Sequence, residues 1–440
     1  MPSRLFLWAL TSALAGFLFG FDTVVISGAE QTIQELWGLS PAMHGFALAS
    51  ALYGTMLGAL FGGWPADRFG RKNTLLYIGV LYFISAIGSA LANDVMTFIV
   101  ARFIGGIGIG VCTVASPLYV SEISPPERRG RLTALFQFNI VLGILIAFAS
   151  NALLAGIGDT AWRWMLGVEA IPALLYTAMT FFIPESPRWL ITNKGDRAGG
   201  IKVLRDVSPA SNETALNQLA DEITAAASQK ENESGFWSRV HLKPILLAFL
   251  VAFFNQLSGI NAILYFAPRI FEMTGLGQQA ALLQSVGIGV ANLIFTLLGV
   301  WLIDRVGRRT LLYVGSYGYI ISLGACAWAF HAELYGIVPW CIFLFIAAHA
   351  IGQGAVIWVL ISEVFPNRFR AKGQALGSFT HWIFAALLTT LFPSMVVHFS
   401  ASTVFMFFCI MMVFQLIWVK VMVPETKGVS LEELQRQLSK

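Results

Sequence analysis

Charge is what this chain has least of. Of its 440 residues, 12% are Asp, Glu, Lys or Arg and 57% are hydrophobic. A soluble domain carries roughly 25% charged residues, and no soluble core could hide this much apolar surface. The solvent for most of the chain is therefore lipid. Cysteine is scarce too. Cys112, Cys326, Cys341 and Cys409 lie inside apolar runs with no metal-ligand spacing, so they read as small hydrophobes and no metal is expected. A phosphate-binding Gly-x4-Gly-Lys-Ser/Thr loop is missing, which removes support for ATP-driven pumping. No nucleophile–base pair or cofactor loop supports an enzyme, and no cofactor is expected. The net charge of +4 gives no reason to expect nucleic acid. The first apolar run lacks a small-residue cleavage site and carries Asp22, so it reads as a retained helix and not a signal peptide.

Long apolar runs are what the chain has instead. A spanning helix needs about 20 mostly apolar residues. Twelve runs qualify: 5–28, 44–64, 74–92, 95–119, 132–156, 163–183, 243–272, 279–303, 309–330, 336–361, 374–398 and 400–423. Lys and Arg crowd the gaps at 65–73, 120–131, 304–309 and 362–372, and are absent from 29–43, 93–94, 331–335 and 399. The positive-inside rule then places both termini and the polar stretch 184–242 in the cytoplasm, in a multi-pass protein of the plasma membrane. Leu216, Leu219 and Ile223 share one helical face, which predicts an amphipathic helix near 213–229. Asn212-Glu213-Thr214 and Asn232-Glu233-Ser234 match glycosylation acceptors, but on that side they are chance matches.

The runs form two sets of six, and the sequence repeats itself between them. Asp67-Arg68-Phe69-Gly70-Arg71-Lys72 returns as Asp304-Arg305-Val306-Gly307-Arg308-Arg309. Ser121-Glu122 returns as Ser362-Glu363, and Pro184-Glu185-Ser186 as Pro424-Glu425-Thr426. The offsets are 237, 241 and 240 residues. The expected fold is an all-α membrane protein of twelve transmembrane helices in two pseudo-symmetric six-helix bundles, 1–183 and 243–423, with a cytoplasmic linker at 184–242 and a tail at 424–440. Gly54, Gly58 and Gly62 suit close helix packing. So do Gly105, Gly106, Gly108 and Gly110, which no strand precedes and which therefore are not a dinucleotide loop.

Ionisable residues inside spans cost about 2.5–3.5 kcal/mol each on insertion scales and are functional candidates by default. Asp22, Arg102 and Glu169 stand out. Each lies roughly 9–12 Å from the outer end of its span at 1.5 Å per residue. Their summed charge is −1, and one proton neutralises them. Asp22 is a candidate proton-binding carboxylate, with Arg102 and Glu169 setting its affinity. The alternative is a static ion network that pins three helices together.

Amides inside a span need partners and offer donors and acceptors together, as a polyhydroxylated ligand requires. Gln137 stands in the fifth run. Asn255, Gln256 and Asn261, followed by Tyr265, stand in the seventh, with Gly259 available for local unwinding. The bland reading is amide glue between helices. Trp358 suits the C–H face of a sugar ring. His349 reads as a hydrogen-bonded neutral ring, and His381 beside Trp382 is a further titratable candidate.

Together these marks resemble the sugar porter family of the major facilitator superfamily over essentially the whole chain. They are Gly20-Phe21-Asp22-Thr23, Gly63-x3-Asp67-Arg68-x-Gly70-Arg71-Lys72, Arg102-x2-Gly105-Gly106, Glu122 to Arg129, Pro184-Glu185-Ser186-Pro187-Arg188-Trp189, Gln256 to Asn261, Glu363 to Arg370, and Pro424-Glu425-Thr426-Lys427-Gly428. The resemblance implies the major facilitator fold, a monosaccharide site between the bundles and alternating access. It puts Gln137, Asn255, Gln256, Asn261, Asn292, Gly354 and Trp358 on sugar-contacting positions, and Phe19, Tyr265 and Trp382 on aromatic walls or gates. Asp22 matches the acid of proton-coupled members, with Arg102 and Glu169 as its neighbours. Glu122 with Arg129, and Glu363 with Arg370, match cytoplasmic pairs that lock the outward-facing state. Asp67, Arg68, Arg71, Glu185, Asp304, Arg305, Arg308 and Glu425 look like further members of that latch. This chain departs from the family in Asn255, where Gln is common, and in His381, where Asn or Gln is common, so hexose, pentose and polyol all stay open. The expected activity is sugar–proton symport. A facilitative uniporter is the alternative. A non-transporting sugar sensor is disfavoured by the short tail after Pro424. The expected partners are a small-molecule sugar, a proton and the lipid bilayer, and nothing demands more than a monomer.

Overall fold

The computed structural model describes residues 3–208, 212–228, 235–238, 241–366, 369–429 and 431–438. Every regular element among them is a helix. The spans are α1 (Ser3–Val25), α2 (Pro41–Phe61), α3 (Arg71–Leu91), α4 (Val95–Ile123), α5 (Pro126–Leu154), α8 (Gln278–Val306), α9 (Arg308–His331), α11 (Arg370–His398) and α12 (Ala401–Met422), with α6, α7 and α10 in pieces. Ser40, Asp94 and Ser400 cap the starts of α2, α4 and α12 through their side chains.

Eleven of the twelve expected spans are long and apolar enough to cross a membrane among the described residues. The sixth run, expected as one helix over 163–183, is instead α6a (Ala161–Gly167) and α6b (Ala170–Thr180). Pro172 has no N–H to offer the Val168 carbonyl, so the ladder fails there and Glu169 stands at the break. The seventh span is α7a (Leu242–Leu257), α7b (Ile260–Tyr265) and α7c (Ala267–Glu272). Its first break is at Gly259, with φ +87° and a would-be Cβ 2.7 Å from the Phe408 ring. Only glycine fits both demands. The tenth span is α10a (Val338–Ile351) and α10b (Gln353–Val364).

The two halves pack by the same plan. In the first, α1 runs along α5, and α4 is flanked by α2 and α3. In the second, α7a runs along α11, and α10a is flanked by α8 and α9. Between halves, α2 lies along α11 and α5 along α8, a pair of seams related by the same two-fold. The glycines of α2 and α4 lie at a helix crossing: a Cβ at Gly106 would sit 1.9 Å from the Ala51 carbonyl oxygen, and one at Gly54 2.2 Å from that of Phe103.

After α6b come three short helices, Pro187–Thr192, Arg197–Val207 and Glu213–Ser228. Ile191, Leu204, Leu216, Ala220 and Ile223 form their small apolar core. Leu219, expected on the buried face, is 40% exposed. Steps of three and four residues both keep to a helical face, and the packing takes Ala220 instead. Asn212 caps the last of these helices through the Ala215 N–H. Asn232-Glu233-Ser234 lies outside the described residues. The helix ends that carry Asp67 to Lys72 and Asp304 to Arg309 share one face of the molecule, termed here the basic face.

Candidate functional site

Three helices of the first half bring the buried charges together. Arg102 donates through one terminal nitrogen to Asp22 Oδ1 at 2.5 Å and through the other to the Asp22 backbone carbonyl at 3.1 Å. Both side chains are almost wholly buried. Glu169, at the break in α6, lies in reach of both charges. Asp22 Oδ2 and Glu169 Oε1 are buried and accept no hydrogen bond from another described residue, and the two carboxyls lie within hydrogen-bonding reach of each other. The expected meeting of Asp22, Arg102 and Glu169 is thus the observed one. Only one of the two carboxylates pairs directly with the cation.

The second half gathers the amides. Gln256 donates to Asn255 Oδ1 at 3.1 Å, accepts from Asn261 Nδ2 at 2.8 Å, and its nitrogen lies 3.0 Å from His381 Nε2. The turn at Gly259 makes this possible, because it folds Asn261 back toward Gln256. The His381 ring lies 5.1 Å from that of Trp358 and 4.7 Å from that of Trp382. Phe19 of α1 meets Trp382 edge-on at 5.7 Å, so one wall comes from the other half. Tyr265 is buried, and its helix α7b, which also bears Asn261, packs against α1, which bears Asp22. Gln137 and Gly354 are partly buried, and no polar contact ties them to Gln256. Asn292 accepts from Thr296 at 3.3 Å within α8. His349 is held by the Tyr319 hydroxyl at 2.6 Å, in keeping with a hydrogen-bonded ring.

On the basic face the repeat becomes geometry. Arg71 forks onto Glu122 with two bonds of 2.9 Å, reaches Asp67 at 3.1 Å and donates to the Ala66 carbonyl at 3.0 Å. Arg308 forks onto Glu363 at 2.9 and 3.2 Å, reaches Asp304 at 3.1 Å and donates to the Ile303 carbonyl at 3.0 Å. Ser186 gives its hydroxyl to Glu122 at 2.5 Å, and Thr426 gives its own to Glu363 at 2.6 Å. Glu185 caps α3 by accepting from the Arg71 and Lys72 N–H groups at 2.8 and 3.1 Å, as Glu425 caps α9 through Arg308 and Arg309 at 2.9 and 3.1 Å. Burial raises the Glu185 carboxyl above its ordinary range, and those amide bonds oppose the rise.

The pairs expected of the outward-facing state are not the ones made in this structure. Glu122 bonds Arg71 and not Arg129, and Glu363 bonds Arg308 and not Arg370. The acids are already saturated by the guanidinium fork and a hydroxyl of their own half. Arg129 Nε and Arg370 Nε are buried without a partner. Arg68 and Arg305, expected among the ion pairs, lie over the rings of Trp64 and Trp301 at 5.7 and 3.8 Å. Among the described residues no ion pair on this face joins the two halves.

The profile of the family described as "Sugar (and other) transporter" matches residues 8–438. This chain belongs to the sugar porter family of the major facilitator superfamily. It is a multi-pass membrane transporter and not an enzyme. The D-xylose-proton symporter of Escherichia coli (strain K12) is 35% identical over 473 residues, covering 98% of this chain and 95% of that protein. The arabinose-proton symporter of Bacillus subtilis (strain 168) is 35% identical over 434 residues, covering 97% and 93%. The partially occluded inward-open structure of the xylose transporter XylE from E. coli superposes with a TM-score of 0.87 at 32% identity, over 97% of this chain and 100% of that one.

In this sugar porter the face opposite the basic one is where the halves are joined by charge. Glu30, on the short helix Glu30–Leu36 after α1, is fully buried. Arg269 of α7c forks onto it with bonds of 2.8 and 2.6 Å, and also donates to Gln34 at 2.7 Å. His44 Nε2 of α2 lies 2.7 Å from the same carboxylate. Tyr53 of α2 meets Thr390 of α11 at 3.2 Å, and Gln279 of α8 donates to the Ala152 carbonyl of α5 at 3.2 Å. Sequence reasoning missed this cluster. Its signal was an arginine inside the apolar run 243–272, passed over beside more prominent charges, and an acid in a gap with no cation of its own.

Proposed function

We propose that this transporter imports a monosaccharide by alternating access, driven by symport of a proton through Asp22. The observation that carries the reading is the pair of carboxyls of Asp22 and Glu169, buried within hydrogen-bonding reach of each other beside a single guanidinium. Two carboxylates and one cation in a low-dielectric interior have room for one more positive charge. A proton taken up there neutralises the cluster and frees Arg102 to change partners. Tyr265, one helical turn from Asn261 on the α7b segment that packs against the Asp22 helix, is the link to the amides.

The substrate is held by Asn255, Gln256, Asn261 and His381 as hydrogen-bonding groups, with Trp358, Trp382 and Phe19 as apolar walls and Gln137, Asn292 and Gly354 as the opposing lining. Pentoses are favoured, because two of the relatives at 35% identity are a D-xylose-proton and an arabinose-proton symporter. The basic face is cytoplasmic, as are both termini, and the membrane is the plasma membrane. The structure then stands in an inward-facing state: among the described residues ion pairing joins the halves on the outer face and not on the inner one. Arg129 and Arg370, lacking partners at Nε here, are the cations free to bridge the halves when the inner face closes. One copy of the chain makes the whole path, so the working unit is a monomer.

The deciding experiment is uptake of radiolabelled D-xylose, L-arabinose and D-glucose into proteoliposomes with and without an imposed proton gradient. Accumulation above the external concentration only under the gradient supports symport. Uptake that equilibrates at the same level in both conditions makes the chain a uniporter and the ion cluster structural.

A further inference from the structure

The far-face charges have a geometry that the transport site does not use. Glu30 has no exposed surface, and neither has His44, while Arg269 is 24% exposed at its side chain and lines a solvent-reaching cavity with Gln31, Gln34, Glu35, Glu272 and Met273. Glu30 and His44 belong to the first half and Arg269 to the second. Both Glu30 oxygens are occupied by the guanidinium fork. Among the described residues no other ion pair links the halves.

We propose that Glu30, Arg269 and His44 form an ionic latch that holds the outer gate shut in the inward-facing state and must break each time the transporter turns outward. This rests on the alternating-access reading above. The latch is placed on the two elements that carry the cargo sites. Glu30 follows Asp22 by eight residues along α1 and its extension, and Arg269 follows Tyr265 by four residues along α7. Breaking or making the pair therefore pulls on the ends of the helices that hold the proton and the sugar.

The burial asymmetry makes the latch testable. A carboxylate sealed from water depends on its cation, so removing Arg269 leaves a buried charge with only His44 beside it, and opening to water relieves it. Removing the charge of Glu30 instead leaves Arg269 partly solvated, which is cheaper. The test is a distance distribution by double electron–electron resonance between spin labels at Asp159→Cys and Ala332→Cys, exposed sites in far-face loops of different halves. The four native cysteines are buried and leave these as the reactive positions. Arg269→Gln should raise the ratio of outer-open to outer-closed molecules on the order of tenfold. Glu30→Gln should raise it less, and the double variant should resemble Glu30→Gln instead of summing the two. Arg269→Lys, which keeps the charge without the fork, should shift the ratio the same way by a smaller factor, and stands in if Arg269→Gln yields no folded protein. Unchanged distributions in these variants, or effects of Arg269→Gln and Glu30→Gln that simply add, would overturn the latch. Label distances report the posture of the halves whatever the cargo, so a wrong sugar or absent proton coupling does not affect this outcome.

Discussion

The two halves of this transporter agree bond for bond on the basic face and disagree through the middle of the membrane. Arg71, Glu122, Asp67, Glu185 and Ser186 are matched by Arg308, Glu363, Asp304, Glu425 and Thr426, down to the carbonyl that each arginine also reaches. Among the described residues nothing in the second half matches Asp22, Arg102 and Glu169, and nothing in the first matches the triad of Gln256, Asn261 and His381. The repeat is scaffold. Each copy ties the start of one helix, the end of another and the exit of the last span into one unit, while the unmatched residues are the ones proposed to take the proton and the sugar.

Four measurements sharpen or break that contrast. The largest effect is expected from Asp22→Asn: accumulation ratios in proteoliposomes under a proton gradient should fall to about one, while sugar exchange between the two sides persists. Full accumulation by this variant would remove the first half's claim to the proton. Next is Arg71→Ala, which strands Glu122 in a nearly closed site and should lower stability by about 3–5 kcal/mol in thermal unfolding in detergent. The matched Arg308→Ala should cost less, about 2 kcal/mol, because Glu363 is 24% exposed and water replaces part of the lost bond. Equal losses would mean that exposure does not separate the copies. The smallest shifts belong to Ser186→Ala and Thr426→Val, about 1 kcal/mol each, since the guanidinium fork remains. A transport defect without a stability change in either would assign that hydroxyl to gating and not to scaffolding.

Much of this was legible in the sequence. Apolar runs and the Lys/Arg asymmetry define the spans, and Gly259 among its amides predicts the unwinding seen there. The charged marks name the members of the basic-face clusters but not their partners. Glu122 has Arg71 and Arg129 both near in sequence logic, and the choice depends on where α3 begins and on which state the molecule occupies. One sequence serves at least two states, so a pairing that belongs to one is not written in residue order. Glu30 and Arg269 were hidden for the opposite reason: their 239-residue separation matches the repeat spacing, but an acid in one half and an arginine in the other do not read as copies. The break at Glu169 follows from Pro172, a local signal that a hydropathy count ignores. Leu219 and Ala220 stand three and four residues after Leu216, both toward its face of the helix, and only packing decides between them.

The self-sufficiency of each basic-face cluster also bears on how the protein is made. Arg71 needs nothing beyond Ser186, so its bonds are complete once the first six spans and a few residues after them have left the ribosome. The first half can settle in the bilayer with its charges neutralised before the second is synthesised. The pair between Glu30 and Arg269 has to wait for the seventh span, which makes it the first cross-link of assembly and dates the joining of the halves to the moment that helix is inserted.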